Sequence, residues 1–455
     1  MRFNRKLPFA CAIASACAAV GGCAAYHAKP LPTAVDLSTH LTGLKADVAA
    51  LRVAPLKSIA IDPSDGLDST EVAVLAVLND PDLRAKRAAV RVGGAEVFAA
   101  GLLPDPQISA GIDRPVAGPD NQQAYGISPS IDLTGLIARS NALAAARFSA
   151  RQANLDLLWA EWQVAQQARQ LVVAAVSDEA RADWLRQAWQ AASERSSRSE
   201  QAQRRGDLSP AAAATDLAVT LDAQALLLQS EHDAAKARRD LNALLNLEPD
   251  VRLPLVTRAE SARYSGENLR QAMADLPQRR PDLLALKAGY SAQDANLRRA
   301  VLAQFPVSNL ALNFAKDTTG NITQGLAAVL ALPIFNGGRG DVAVQNATRD
   351  QLYAEYQARL DLTRNEVVQA EAELASADRQ VQALGVQTPK LEALVAPASA
   401  AIARGDIDSQ AYLAIAQSAL NRRADLDDKT AAARLAEIAL ETSLFLPPAQ
   451  SKASQ

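Results

Sequence analysis

Few side chains in this sequence are of the types that perform chemistry. The 455 residues include three histidines and three cysteines. His27, His40 and His232 lie far apart in the sequence, and no metal-ligand spacing joins them. We find no serine–histidine–aspartate, cysteine–histidine, phosphate-loop or paired-carboxylate arrangement. The sequence therefore predicts a protein that is not an enzyme and that has no metal site and no cofactor.

Cys23 is the one residue whose surroundings predict a chemical modification. A basic start is followed by an apolar stretch, Leu7–Val20, which is too short to span a membrane and has the length of a signal-peptide core. Gly21 and Gly22 then precede Cys23, a pattern that resembles the bacterial lipoprotein signal. We expect residues 1–22 to be removed and Cys23 to be lipidated; an ordinary signal peptide with an incidental cysteine is the alternative. By the bacterial sorting rule, Ala24 after the cysteine indicates the outer membrane.

Composition restricts the remaining possibilities. Hydrophobic residues make up 49 % of the chain but aromatic residues only 4 %, which favours thin helical layers of Ala, Leu and Val over a thick core. The formal net charge of −3 argues against a surface that binds nucleic-acid phosphates. Residues 23–66 contain several prolines and little pattern, so we expect a lipid-anchored tether with one short helix around His40–Leu51.

One uninterrupted helix dominates the first half of the chain. Between Gly135 and Gly206 there is no glycine or proline, and about 70 residues at ~1.5 Å each predict a helix of roughly 100 Å over Leu136–Arg205. Leu or Val recurs every seven residues, with Ala three residues later, which is typical of closely packed helices. A generic long coiled coil is the alternative interpretation.

The chain contains two copies of one unit. Pro81-Asp82-Leu83 recurs as Pro281-Asp282-Leu283, an offset of 281 − 81 = 200 residues. Pro106 and Arg139 have counterparts at the same offset, Pro306 and Arg339. Arg205-Gly206-Asp207 recurs as Arg404-Gly405-Asp406, an offset of 404 − 205 = 199. Four landmarks in the same order indicate duplication, with units at residues 67–255 and 256–446 and a tail at 447–455.

Each unit has the same predicted order of elements. A helical segment (Ser69–Gly101, then Glu267–Gln304) precedes two extended segments and a long helix. An Arg-Gly-Asp turn and a return helix follow (Pro210–Leu247, then Ser409–Leu444). In the second unit we expect the long helix to be bent or interrupted, since it contains Gly385, Pro389 and Pro397.

The extended segments alternate apolar and polar residues at period two, as membrane-spanning strands do. The apolar positions are Ile108, Ala110 and Ile112; Tyr125, Ile127, Ile131 and Leu133; Leu310, Leu312 and Phe314; and Leu326, Ala328, Leu330 and Leu332, in a fourth run reaching Phe335. A soluble four-stranded sheet packed on the helices is the alternative, but it leaves two edges exposed. Four strands cannot close a membrane barrel, so several chains would have to share one.

These residues resemble the TolC-like outer membrane efflux proteins, in their lipoprotein branch. The resemblance covers roughly Ser69 to Leu444. It rests on the Arg280-Pro281-Asp282-Leu283 helix start, the Pro306 strand start, the Leu332–Gly340 exit from the fourth strand, and the paired Arg-Gly-Asp turns.

The resemblance implies a mainly α-helical fold with a small β part, in which the duplicated unit is two strands followed by a long helical hairpin. In that family three chains form a homotrimer, with a twelve-stranded β-barrel joined to a periplasmic α-helical barrel. The family member is a passive duct that exports small molecules or ions. An inner-membrane efflux pump supplies these substrates through a periplasmic adaptor, the membrane fusion protein. A periplasmic coiled-coil adaptor or scaffold lipoprotein without a pore is the alternative function.

The resemblance also assigns the adaptor-contacting tip to the two repeated turns. They consist of Arg205, Gly206, Asp207, Leu208 and Ser209, and of Arg404, Gly405, Asp406, Ile407 and Asp408. A departure concerns the gate, where family members often carry acidic residues early in the last helix and this chain has Ala411 and Ala414. An acidic ring would have to use Asp406 and Asp408 instead. The exported substrate, whether drug, metal ion or solvent, has no signature in the sequence.

Overall fold

The computed structural model describes residues 26–57, 59–119, 122–256, 266–304, 307–330 and 334–447. Cys23, Pro306, Leu332 and the tail from residue 448 lie outside these ranges, so the predictions that involve them are not addressed by the structure. The chain divides after Leu37 into two units. The described part of the first unit, residues 26–37, is exposed and has no helix or strand. Every element below belongs to the second unit.

The two repeats have the predicted order of elements. The first consists of α1 (Ser69–Asn79), α2 (Pro81–Gly101), β1 (Gln107–Asp113), β2 (Ala124–Asp132), α3 (Leu133–Arg204) and α4 (Pro210–Leu244). The second consists of α5 (Gly266–Ala274), α6 (Leu276–Arg279), α7 (Pro281–Leu302), β3 (Val307–Lys316), β4 (Ile322–Leu330), α8 (Arg339–Arg404) and α9 (Ser409–Leu444). Of the rest of the predicted fourth run, residues 331–333 lie outside the described ranges, and Ile334 and Phe335 are not in a strand.

Aspartates fix where the helices of the first repeat begin. Asp68 accepts hydrogen bonds from the backbone of Thr70 and Glu71 while Glu71 bonds back to Asp68, which forms a capping box. Asp80 separates α1 from α2 and caps α2 through the Leu83 amide at 2.7 Å. Asp132, the last residue of β2, caps α3 by accepting from the Gly135 amide at 3.0 Å. Strand and long helix therefore join with no intervening loop.

The four strands form one antiparallel sheet in the order β1-β2-β3-β4. The central pair, β2 and β3, joins the two repeats, with Ile127 opposite Phe314 and Ile131 opposite Leu310. A bulge between Val307 and Asn309 shifts the register of β3 against β4 at the end of the sheet next to the helices.

The N-terminal segment after Leu37 is not a free tether, which corrects the expectation for residues 38–66. Three turns of 3₁₀ helix, at Leu41–Gly43, Val48–Ala50 and Ala54–Leu56, replace the predicted short helix. Leu51, Val53 and Leu56 are buried in the largest apolar cluster, against α1, α3 and the end of α4. We call residues 38–56 the strap. Its apolar residues are spaced too irregularly for one helix face, so sequence periodicity did not reveal that it packs.

The second long helix, α8, is continuous from Arg339 to Arg404, so the predicted interruption is wrong. It runs through both Pro389 and Pro397. A proline removes one backbone hydrogen bond and costs roughly 3 kcal/mol inside a helix. Packing on α9 accounts for the continuity: Thr388 is buried and its hydroxyl donates to the Arg422 carbonyl at 3.3 Å.

Candidate functional site

The sheet has two chemically different faces. Residues directly opposite each other in antiparallel strands share a face, so the register assigns each paired side chain to one of the two faces. One face carries the predicted apolar residues, among them Ile108, Ile112, Tyr125, Ile127, Leu312, Phe314 and Leu326. Ile112 is 76 % exposed and Leu326 is 70 % exposed. The other face carries mainly Ser, Asn, Thr, Gly and Ala. A soluble sheet packed on helices would bury its apolar face, and this sheet does not.

Both edges of the sheet are open. The sheet order leaves β1 and β4 with a strand neighbour on one side only. The seven residues of β1 are all exposed. The two edges therefore leave backbone donors and acceptors available to further strands, beside an uncovered apolar face.

The two hairpins end in turns of the same construction. Gly206 and Gly405 have φ of +84° and +79°, the left-handed conformation that favours glycine. The next amide, of Asp207 or Asp406, donates to the carbonyl five residues earlier at 2.9 Å in both turns. The arginine before each glycine bonds to the aspartate after it, at 2.9 Å in the first turn and 2.8 Å in the second. The repeated Arg-Gly-Asp sequence is therefore one structural motif used twice.

The remaining turn residues also have local structural roles. Ser209 caps α4 by accepting from the Ala212 amide at 3.2 Å, and Asp408 caps α9 by accepting from the Ala411 amide at 2.7 Å. Asp406 is paired with Arg404 and Asp408 caps α9, so both candidates for an acidic ring already stabilise the second turn. Their side chains are at the exposed end of the hairpin.

A cavity of about 1040 Å³ separates the two hairpins near these turns. Leu208 of the first turn and Ile402, just before the second turn, both line it, so the two hairpin ends converge there. Its wall is mostly Ala, Val and Leu, with Trp184 and Tyr412 as the large aromatic residues.

Arg195 connects the hairpins across this cavity. Its Nε donates to Asp216 of α4 at 2.7 Å, and its guanidinium lies 3.8 Å from the ring centroid of Tyr412 on α9. The Ser199 hydroxyl also donates to Asp216, which is 6 % exposed. Our sequence analysis missed this cluster, although a signal existed: Arg195 and Asp216 lie 206 − 195 = 11 and 216 − 206 = 10 residues from Gly206. Opposite charges at nearly equal distances on either side of a hairpin turn face each other.

A second charged cluster, around Arg280, holds the base of both hairpins. Arg280 is fully buried and bonds to both carboxylate oxygens of Asp282, at 2.9 and 2.8 Å, and to Glu366 of α8 at 2.9 Å. Its guanidinium lies 4.5 Å from the Trp159 ring centroid on α3. Burial acts to raise the pKa of Asp282, but hydrogen bonds and charge from Arg280 and Arg359 outweigh it and hold that pKa below its usual value.

Among the described residues, no group of three or more His, Cys, Asp and Glu side chains is placed to hold a metal ion. One described helix, α4, is long and apolar enough by length and composition to cross a membrane. Salt bridges join α4 to α3, including Arg238 with Glu179 and Arg186 with Glu231 at 2.7 Å. These contacts identify α4 as one arm of the first hairpin.

Comparison of the sequence alone finds no matching family profile and no matching curated protein. Comparison of structures finds close likenesses. CusC, studied for its folding and transmembrane channel formation, has a TM-score of 0.70 at 18 % identity over 90 % of this chain and 99 % of its own. The outer membrane channel CmeC of Campylobacter jejuni has a TM-score of 0.71 at 15 % identity, over 94 % and 96 %. The outer membrane protein VceC of Vibrio cholerae has 0.69 at 17 %, over 83 % and 95 %. These likenesses confirm the mainly α-helical fold with a small sheet that the resemblance to TolC-like channels implied.

Proposed function

We propose, from a fold shared with outer-membrane channels, that this chain is the outer-membrane component of a tripartite efflux system. It acts as a passive trimeric duct through which small molecules or ions leave the cell. One observation carries the proposal: an apolar-faced sheet with two open edges continues directly into long helical hairpins. Such a sheet is stable only when copies of the chain close it into a barrel in a membrane.

The duplication supports the same conclusion in the helices. On α7, the side chains of Ala285, Ala288, Ala292 and Ala295 are buried, with exposures of 1 to 6 %. Their counterparts 200 residues earlier, on α2, are Ala85, Ala88, Val92 and Ala95, and all four are exposed. We call these four residues the open α2 face. In the second repeat the equivalent face is covered by the long helices, which predicts that α8 of another copy covers the open α2 face.

The same reasoning applies to the strands. Within the chain, β2 of the first repeat pairs with β3 of the second. Repetition of that contact between copies pairs β4 of one copy with β1 of the next and gives a ring. Three chains supply 3 × 4 = 12 strands, which exceeds the ~8 that a membrane barrel needs. The apolar face then meets lipid, and the Ser, Asn and Thr face lines the duct.

The remaining assignments extend this proposal. Lipidation at Cys23 anchors each chain in the outer membrane, and the hairpins extend into the periplasm. The two Arg-Gly-Asp turns contact a periplasmic adaptor, which connects the duct to an inner-membrane efflux pump. The identical construction of the turns supports this role, because a ring of six equivalent ends suits a partner with repeated subunits.

The proposal is tested with the full-length, detergent-purified protein. We expect a trimer by native mass measurement and stepwise ion conductance in planar lipid bilayers. Ala110→Asp places a charge on the lipid-facing side in the middle of β1, where a charge destabilises a membrane-spanning strand most, so heat-resistant trimer in outer membranes should fall sharply.

Ser109→Asp is the matched control, since it puts the same charge on the opposite face of the same strand. We expect Ser109→Asp to retain trimer and conductance. A wild-type protein that stays monomeric and soluble after removal of detergent would contradict the proposal, as would equal tolerance of both substitutions.

A further inference from the structure

The strap defines a fixed point from which the lipid anchor must reach the membrane. Ser38 is held by two backbone hydrogen bonds, its amide to the Asn246 carbonyl and its carbonyl from the Glu248 amide, both at 3.0 Å. Residues 24–37, which we call the linker, separate this point from Cys23. The number of steps from Cys23 to Ser38 is 38 − 23 = 15.

The level of Ser38 along the first hairpin follows from the pairing of α3 with α4. The Ser230 hydroxyl of α4 donates to the Asp178 carbonyl of α3 at 2.8 Å, so these residues lie side by side. Asn246 is 246 − 230 = 16 residues further along, level with residue 178 − 16 = 162 of the antiparallel α3. Pairing of Arg195 with Asp216 gives a similar level, 195 + 216 − 246 = 165.

The distance from this level to the membrane is the length of the upper part of α3. The apolar sheet ends at Asp132, and α3 begins at Leu133. From there to residue 162 is 162 − 133 = 29 residues, or about 44 Å of helix. The linker must cover this distance if Cys23 carries acyl chains inserted in the same membrane.

The reach of the linker is almost the same. Fifteen steps span about 46 Å in the polyproline II conformation and at most about 50–54 Å when fully extended. Pro30 and Pro32 favour that conformation in the linker. Its described residues, 26–37, have no helix or strand that would shorten it.

We infer that the linker is only slightly longer than the distance from the strap to the membrane surface, so that lipidation and barrel insertion become incompatible when about four residues are removed from it. The inference rests on the proposed function. It assigns the role to length, whereas the side chains of Tyr26, Leu31 and Val35, each more than 80 % exposed, are dispensable.

The test compares linkers of different length in the full chain. Deletion of residues 33–36 removes about 12–14 Å of reach, which leaves the anchor short of the membrane. We expect the fraction of chains that are both lipidated, by mass spectrometry of the N-terminal peptide, and in heat-resistant trimers to fall about tenfold or more. The same deletion with Ser-Ala-Ser-Ala inserted after Ala28 restores the length and should restore that fraction.

A matched control separates length from side-chain docking. The triple variant Tyr26→Ser, Leu31→Ser and Val35→Ser keeps the length and should match the wild type. Wild-type behaviour of the deletion variant overturns the inference, and so does loss in the triple variant. If the wild type itself forms no heat-resistant trimer, the proposed function fails and the inference fails with it; a normal wild type with a normal deletion variant overturns the inference alone.

Discussion

Arg280 is a buried charged residue that links the two repeats. It links the start of α7 to Asp282, to Glu366 of α8, to the Ser443 carbonyl of α9 at 3.2 Å, and to Trp159 of α3. A guanidinium has five donors in a planar fork, which is why arginine rather than lysine suits this position. Since the side chain is 1 % exposed, its removal leaves the buried side of Asp282 and Glu366 without a cation, and Arg359 remains as their counter-charge.

We predict that Arg280→Met lowers the free energy of unfolding by about 3 kcal/mol, because methionine fills the volume but leaves Asp282 and Glu366 poorly compensated. Arg359 still contacts both carboxylates, which places the loss at the low end of the usual range. The measurement is urea or thermal unfolding of the purified protein at neutral pH. Arg298→Met, which removes an exposed pair with Asp294 four residues earlier, is the control and should change stability by less than about 0.5 kcal/mol.

The pH dependence follows from the direction of the Asp282 pKa. A lowered pKa in the folded state means that the charged carboxylate contributes stability above its ordinary value of 3.8. This contribution is lost as the pH falls through the lowered pKa. The difference between wild type and Arg280→Met should therefore narrow in acid, and a difference that stays constant below pH 3.8 would contradict the assignment.

Single residues also show what the sequence could and could not predict. The tip turns were predictable because Gly206 and Gly405 need a left-handed backbone and because Ser209 and Asp408 are local caps, so every contact lies within a few residues. The partners of Arg280 were not, since Glu366 and Ser443 lie 86 and 163 residues away and only the packing of four helices brings them together. In the structure Arg280 is the centre of a charged cluster, whereas in the sequence it is visible only as the first residue of the Arg-Pro-Asp-Leu motif.

At the scale of elements, the two long helices differ more in composition than in form. The tip-proximal part of α3 has no glycine or proline and is tied to its neighbours by Arg195 and Ser199. The matching part of α8 contains Gly385, Pro389 and Pro397. Because proline has no backbone N–H, Pro389 cannot donate the helical hydrogen bond that the Gly385 carbonyl would otherwise accept. Sequence rules predicted a bend or an interruption there because they weigh local propensity, whereas the helix is continuous and Thr388 is buried against α9.

We predict that Pro389→Ala stabilises the end of α8, because it returns a backbone donor to the helix. Hydrogen exchange of residues 385–404 should slow by up to about 100-fold, equivalent to roughly 3 kcal/mol of local opening. The reciprocal change uses the counterpart position, 389 − 199 = 190: Gln190→Pro should speed exchange at the end of α3 by a similar factor.

Gln190→Ala is the control, since the position is exposed and alanine favours helix. It should leave exchange in α3 nearly unchanged. Faster exchange in Pro389→Ala would mean that the packing of α9 requires the backbone geometry that the proline imposes, and the prediction would be wrong.

At the scale of the whole molecule, duplication explains which surfaces are complete and which are not. Inside the chain the first repeat contacts the second through β2 with β3, through α3 with α7, and through α3 and α4 with α9. The converse contact would join the second repeat of one copy to the first repeat of the next copy, so it cannot form within one chain. The sequence revealed the repeat through its 200-residue offset, but only the burial of one copy beside the exposure of the other identified the open α2 face.

The open α2 face gives the sharpest test of the ring. Ala88 is exposed here, while its counterpart Ala288 is 5 % exposed against the long helices. We predict that Ala88→Arg prevents close approach of α8 from the next copy and lowers the trimer fraction in native mass measurements about tenfold or more, equivalent to at least ~1.4 kcal/mol. The helix itself should tolerate the change, because arginine is a good helix former.

Gly94→Arg is the control that the chain itself provides. Gly94 lies on the side of α2 away from the open α2 face, since the six residues after Ala88 turn the helix by about 600°. A Cβ at Gly94 would have no heavy atom within 4 Å beyond its own helix, and the counterpart residue, Asp294, is partly exposed in the second repeat. The two variants add the same side chain to the same helix, and they differ in which face carries it. We expect Gly94→Arg to form trimers as the wild type does. Equal trimer formation by both variants would mean that copies do not meet through the open α2 face, and the ring would have to close through the strands alone.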